Sequence, residues 1–431
     1  MVNGEIVVSE NHWAGNTNVV RPAFLSCYTG VSYFFKKGVD DMRIVIACGS
    51  YLLQLMVWVA VLRLWVTSRS RIKHERQNFG SAVYSDHFEL RHFLTQGLVL
   101  GAALSVVNVL VGFSLPLLWV VIYELLAVVT LIVLPTTVLP LTLIVVSTLI
   151  TIGASTLGGP YIAELPSLAP TGLKWGLNAV PVQNYLWLAA FFFLILGHWL
   201  SRYGGRFTAP RIYAKQRGKR IAGYPWREFL VLPMVTLVPG DWFASHWAFW
   251  PLLTIHGQTF AVLVVPLLVG LRFTVFRQVP RVVYQGIAKK LVWLALAALV
   301  FFGWTIYRPQ DVAITLVLLL VGYAIILWRA KRYDAQQQFW YSQVDDGVRV
   351  LAIRPRTPAV KLDLAAGDII LECNHQPIDS ETSFYEALLI NPTYCHLKVR
   401  NMAGELKVTE TAIYAGAPHE IGIVLFRDQE G

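Results

Sequence analysis

Apolar residues run in long, nearly unbroken stretches through the first 330 positions, and give way to short alternating segments near the end. Eight stretches read as membrane helices: 44–66, 93–115, 117–134, 138–157, 181–200, 247–271, 291–307 and 312–328. Crossing a bilayer takes about 20 apolar residues as a helix. The run from Leu117 to Leu157 is too long for one crossing, and Pro135 and Pro140 place a hairpin within it, because proline disrupts the helical ladder. Arg308-Pro309-Gln310-Asp311 makes a second tight turn. Beyond Tyr341 the period shortens. Val348–Ile353 alternates as a half-buried strand does. Ser380 caps a helix to about Leu389 with Glu381 in its first turn, and Leu397–Arg400 pairs with Leu406–Thr411 around Ala403-Gly404. The pattern predicts a polytopic α-helical membrane domain of eight to nine spans over 44–332, after an N-terminal extension, partly disordered, over 1–43. A small cytoplasmic α+β domain follows over 341–427.

Composition agrees with this reading. Only 14% of the 431 residues are charged and the mean hydropathy is +0.53, against about 25% charged in soluble domains. Residues 1–340 carry 28 Lys/Arg and 13 Asp/Glu, whereas 341–431 carry 8 and 13. Basic residues flanking apolar spans point to membrane topology and anionic lipid rather than to nucleic acid. Four clusters should be cytoplasmic by the positive-inside rule: Arg69–Arg76, Arg202–Arg227, Arg272–Lys290 and Arg329–Arg332. Two loops on one side need an even number of crossings between them, yet only 247–271 reads as a span between Arg227 and Arg272. Phe229–Ser245, broken by Pro233 and Pro239, must therefore cross too, or the chain must enter and return there. The first 18 residues are polar and show no cleavable signal pattern.

Little points to catalysis. Cys27, Cys48, Cys373 and Cys395 lack metal or disulfide spacing, so neither metal nor cofactor is expected. A membrane metalloprotease needs two histidines one helical turn apart around a glutamate, and no HExxH occurs. Ser155 and His198 could imitate a serine–histidine pair, but small residues and a terminal histidine in membrane helices usually serve packing and the interface. Glu124 and His256 are ionisable groups inside apolar runs; Glu124 could be bonded to Asn108, or mark a transport path. Gly97-x-x-x-Gly101 reads as a packing face within the chain. Trp58, Trp65, Trp187, Trp199, Trp242, Trp247 and Trp250 fit an interfacial belt. A transporter or channel-like protein with a regulatory terminal domain is the alternative from another class.

The terminal domain carries Pro358-Ala359, Leu364-x-x-Gly367-Asp368-Ile369-Ile370, Asn374 and a following helix. This order resembles bacterial PDZ domains. The glycine takes a conformation that side chains disfavour, and the isoleucine enters the core. Asn374-His375 departs from the more usual Asn-Gly. Such domains bind extended peptides between a strand and the helix. Within the terminal domain, the carboxylate-loop pattern x-Φ-Gly-Φ is matched by Glu420-Ile421-Gly422-Ile423, at the C-terminal end. Two readings stand: a circular permutation in which Ile421–Phe426 lines the groove, with Phe384, Ala387 and Leu388 on the helix opposite, or a strand that merely closes the core.

The resemblance extends to the whole layout. Arg71-Ile72-Lys73-His74-Glu75-Arg76, Leu237-Val238-Pro239-Gly240-Asp241-Trp242, Tyr394–Val399 and His419–Ile423 stand in the order found in the MinJ family of division-topology membrane proteins of rod-shaped Gram-positive bacteria. That resemblance covers about 44–426. It implies a non-catalytic adaptor at septum and poles, linking a DivIVA-like scaffold to a MinD-like ATPase.

Overall fold

The computed structural model describes residues 49–133, 140–157, 173–175, 180–207, 209–214, 220–244, 253, 259–337, 341–344, 346–413 and 421–426. The expected extension 1–43, the Pro135 turn, His256, Trp247, Trp250 and Glu420 lie outside them. Among the described residues, seven long helices belong to the body: α1 (Leu55–Phe79), α2 (Phe88–Val111), α3 (Leu117–Val133), α4 (Pro140–Leu157), α5 (Asn184–Tyr203), α6 (Pro280–Tyr307) and α7 (Val312–Gln336). Among the described residues, five helical stretches are long and apolar enough to cross a membrane: 88–111, 140–157, 184–203, 280–307 and 309–336. The α3 helix is a shorter apolar one. The expected count of eight or nine spans is not reached by this measure. α5 is the central helix, with Leu186, Leu188, Phe192, Phe193, Leu196 and Leu200 all buried. Trp199, expected at an interface, is fully buried against Trp226 at 5.4 Å. Trp58 and Trp65 do lie exposed, as do Leu62, Leu98 and Trp293 on outward helix faces.

The helix expected at 247–271 is not formed where that stretch is described: β4 (Thr259–Gly270) is a strand, paired antiparallel with β3 (Phe229–Ala244). Eleven successive pairs run from Phe229↔Gly270 to Pro239↔Phe260. At about 3.4 Å per residue the ribbon is roughly 35 Å long, enough to traverse a hydrocarbon core of about 30 Å. Its register returns the chain to its starting level, so Arg227 and Arg272 flank the same end. This return is compatible with the even number of crossings that the two basic loops require. Two features of the sequence explain the mistaken helix. A continuous apolar run has no period that separates a buried strand from a buried helix. Pro266 sits where a helix would lose a hydrogen bond and clash with the preceding turn.

At the end of the body bearing Arg227 and Arg272, β1 (Arg211–Ala214), β2 (Arg220–Trp226) and β5 (Phe273–Val275) make an antiparallel sheet of order β1-β2-β5. The loop Arg202–Arg227 is thus partly strand. The terminal domain holds β6 (Val348–Arg349), β7 (Ala352–Ile353), β8 (Ile369–Cys373), β9 (Gln376–Pro377), α8 (Glu381–Ile390), β10 (Tyr394–Arg400), β11 (Leu406–Ala412) and β12 (Ile423–Val424). Its main sheet runs β11-β10-β8-β6, and β12 pairs with β7. The α8 cap is reciprocal: Ser380 Oγ accepts from Ser383 N at 3.1 Å, and Ser383 Oγ accepts from Ser380 N at 3.0 Å.

Candidate peptide-binding site

The segment Val348–Ile353 changes partner halfway, which is why it appears as two short strands. Val348 pairs with Ile370 of the main sheet, whereas Ala352 pairs with Val424 and Ile353 with Ile423. Val350 N donates to Asp368 O and accepts, through its carbonyl, from Gly367 N, both at 2.8 Å. Gly367 is held at φ +109, and Asp368, buried, accepts from Ala365 N at 2.9 Å. The motif's glycine and aspartate therefore fix the turn. The isoleucine that ends Gly-Asp-x-Ile, Ile370, is fully buried as expected; Ile369, also counted in the motif, is half-buried because alternate residues of a strand face opposite ways. Pro358 starts a short 3-10 turn that puts Ala359 in the core.

Asn374 and His375 both take left-handed conformations, φ +48 and +66. The turn usually built with glycine is kept, and three contacts hold it. Asn374 Nδ2 donates to Ala387 O at 3.1 Å, Asn374 Oδ1 accepts from His396 N at 3.0 Å, and the His375 ring stacks on His396 with centroids 4.6 Å apart.

Gly422 adopts φ +92, and a Cβ there would drive into the Thr357 side chain. Three carbonyls here are occupied: Ile421 O accepts from Ala359 N at 3.0 Å, Gly422 O from Arg354 N and Val424 O from Leu351 N, both at 2.8 Å. Ile421 and Ile423 point into the domain core, where they share one cluster with Phe384, Ala387 and Leu388. The structure thus brings these five residues together, all buried, with β12 as the antiparallel neighbour of β7. Tyr385, half-buried and edge-on to Phe384 at 5.4 Å, was missed in the sequence, as were Leu389 and Ile390, 74% and 64% exposed on the last turn of α8. An apolar residue next to a helix end carries no signal that it stays uncovered.

The other face of β12 docks on the body. Val424 and Phe426 share a buried cluster with Phe79, Val83, Ala222, Tyr224, Tyr341 and Leu351. Tyr224 OH donates to Leu351 O at 2.6 Å, Ala222 N donates to Tyr341 O at 2.9 Å, and the Tyr224 and Tyr341 rings meet edge-on at 4.5 Å. Arg354 Nη2 donates to Ser81 Oγ. Nothing in the sequence pattern paired these segments.

The catalytic imitations do not assemble. Ser155 Oγ donates to Ile152 O of its own helix at 2.7 Å, and His198 is exposed. Asn108, considered a partner for Glu124, instead donates to Val235 O of β3 at 3.2 Å.

Residues 339–394 match the PDZ domain family. The chain is 28% identical over 397 residues to the cell division topological determinant MinJ of Bacillus subtilis (strain 168), covering 89% of this chain and 94% of that protein. It is 27% identical over 408 residues to the probable cell division topological determinants MinJ of Lacticaseibacillus paracasei and of Lacticaseibacillus casei (strain BD-II), covering 90% of this chain and 100% of each. Along about nine-tenths of its length the chain is similar to these MinJ proteins, and it has apolar helices long enough to cross a membrane and a PDZ domain near its C-terminus.

Proposed function

We propose that the protein is a non-catalytic multi-pass membrane adaptor that positions division regulators at the septum and poles. Its cytoplasmic PDZ domain captures an extended partner segment along the outer edge of β12 beside α8. Glu420, Ile421, Gly422 and Ile423 form the terminal loop, and Phe384, Ala387 and Leu388 support the opposite wall. The expected partners are a DivIVA-like scaffold on one side and a MinD-like ATPase on the other.

One observation supports the reading: β12, the strand proposed to line the groove, pairs with β7 and has Val424, with the following Phe426, docked on the body. A peptide added to that strand would be held at fixed height over the membrane, as a tether requires.

The test is fluorescent localisation in dividing cells. Full-length protein is expected at septa and poles, and a chain lacking 341–431 is expected to spread evenly around the membrane. Loss of the gene should give filaments or minicells. Normal cell length together with unchanged placement of the truncated chain would overturn the proposal.

A further inference from the structure

A cavity of about 250 Å³ opens at the basic end of the body, between the last turns of α1, the β1–β2 sheet and the turn joining β2 to β3. Five arginines line it: Arg63, Arg71, Arg211, Arg227 and Arg272. Three carboxylates line it too, two of them paired with Arg71 and the third with His92. Arg71 binds Glu75 at 2.8 Å and Glu89 at 2.6 Å, and Glu228 binds His92 at 2.8 Å. Glu75 also accepts from Val83 N at 2.8 Å. Among the described residues, Arg211, Arg227 and Arg272 have no carboxylate partner in an ion pair. Arg227 Nε is buried with no hydrogen-bond partner.

Such convergence is costly in an empty site. Desolvation, then Arg211 and Arg272, hold the Arg227 guanidinium below its ordinary range. Desolvation followed by Arg211, Arg227 and Lys73 also lowers His74, on the cavity rim. Like charges brought together without a counter-ion destabilise the fold unless something negative joins them. Guanidinium forks match the paired oxygens of phosphate better than they match a spherical anion. Val66, Phe88, Trp226 and Phe229 give the cavity an apolar part, beside the polar Thr67, Ser70 and Asn78. This apolar wall adjoins the outward apolar face of α1, where Leu62, Trp65 and Val66 are exposed. A fully hydrated inorganic ion would make poor use of that wall, whereas a phosphate ester would fill both parts.

We propose that this cavity binds an organic phosphate, its oxygens held by Arg211, Arg227 and Arg272 and its apolar portion lying against Val66 and Phe229. The phosphate can come from the diester headgroup of an anionic lipid or from a soluble phosphate ester, and the same fit serves both.

Two probes separate the sources. Detergent-solubilised full-length protein is titrated with phosphatidylglycerol, with phosphatidylcholine as the neutral control, and binding is read by native mass spectrometry. In parallel, glycerol 3-phosphate is titrated while the thermal midpoint is followed. Arg227→Gln and Arg272→Gln are expected to weaken the preferred probe at least tenfold, and Lys331→Gln, near the C-terminal end of α7 and not part of the cavity lining, is expected to leave it unchanged. Preference for phosphatidylglycerol alone assigns a lipid site, and a rise in midpoint with glycerol 3-phosphate assigns a soluble ligand. Both glutamine variants remove a repelled charge, so their midpoints without probe should equal or exceed that of the parent, which separates loss of binding from loss of fold. Equal binding by parent and variants, or equal weakening by Lys331→Gln, would overturn the site.

Discussion

Pro233 lies directly opposite Pro266 across the β3–β4 hairpin. Neither has an N–H, and their register positions turn backbone groups outward, away from the partner strand. The neighbouring outward groups are met by side chains. Ser105 Oγ donates to Pro233 O and accepts from Val235 N, both at 3.0 Å, Gln54 Nε2 donates to Val264 O at 2.9 Å, and Tyr123 OH accepts from Leu268 N at 2.9 Å. An open sheet edge is not tolerated against lipid. Here two edge donors are removed by proline and four outward groups are met by Gln54, by Ser105 of α2 and by Tyr123 of α3, which helps a two-stranded ribbon lie inside a helical body.

The same contact makes Gly101 a point of no tolerance. Its Cβ would fall 2.8 Å from Pro233 Cγ, whereas nothing lies within 4 Å of one on Gly153. Gly101→Leu should lower stability by about 1–3 kcal/mol or more through overpacking, and Gly153→Leu should change it by about 0.5 kcal/mol at most. Thermal unfolding in detergent compares them; equal midpoints would contradict the packing described.

Gly422 and Gly404 form a second matched pair. Both are left-handed, φ +92 and +87, but Gly404 has open space and Gly422 faces Thr357. Gly404→Ala should cost about 1 kcal/mol from backbone strain alone. Gly422→Ala should cost at least about 2 kcal/mol, since overpacking adds to the strain, and should loosen β12. Hydrogen exchange at the Leu351 and Arg354 amides, which donate to Val424 and Gly422, is the readout.

His92 and Glu228 form a buried pair, 2.8 Å apart. Breaking such a pair from one side typically costs about 3–5 kcal/mol, so His92→Ala should destabilise strongly and Glu228→Gln much less. Burial pushes the Glu228 carboxyl above its usual range. A carboxyl raised by folding favours the folded state fully below about pH 4.5, and the benefit fades as pH rises through the folded value. Without His92, which lowers that value, the decline should extend to higher pH. Unfolding midpoints from pH 4 to 8 test it.

Tyr224 holds the PDZ domain on the body through its bond to Leu351 O. Tyr224→Phe leaves that buried carbonyl unsatisfied, at about 1–3 kcal/mol. Protease cleavage between 337 and 341 should quicken several-fold, with the midpoint of the helical body unchanged. An unaltered cleavage rate would show that the bond does not secure docking.

How much of this was readable in advance follows from the range of the forces involved. The Ser380 cap, the Ala403-Gly404 hairpin and the Gly367-Asp368 turn are set by neighbours within a few residues, and each stands where the sequence put it. Gly97 and Gly101 were rightly read as a packing face, though their partner turned out to be a strand. Trp199 and Asn108 were misplaced because burial and hydrogen-bond partners depend on segments more than 25 residues away.

The sequence by itself determined the apolar helices, the split into a basic body and an acidic terminal domain, and the local turns of that domain. All of these follow from hydropathy, charge and short-range sterics. Only the tertiary structure decided that 229–270 contributes a strand ribbon, that β12 faces the PDZ core on one side and the body on the other, and that three arginines converge on one cavity. A buried segment chooses between helix and strand by which surroundings can satisfy its backbone, and those surroundings exist only once the chain has folded.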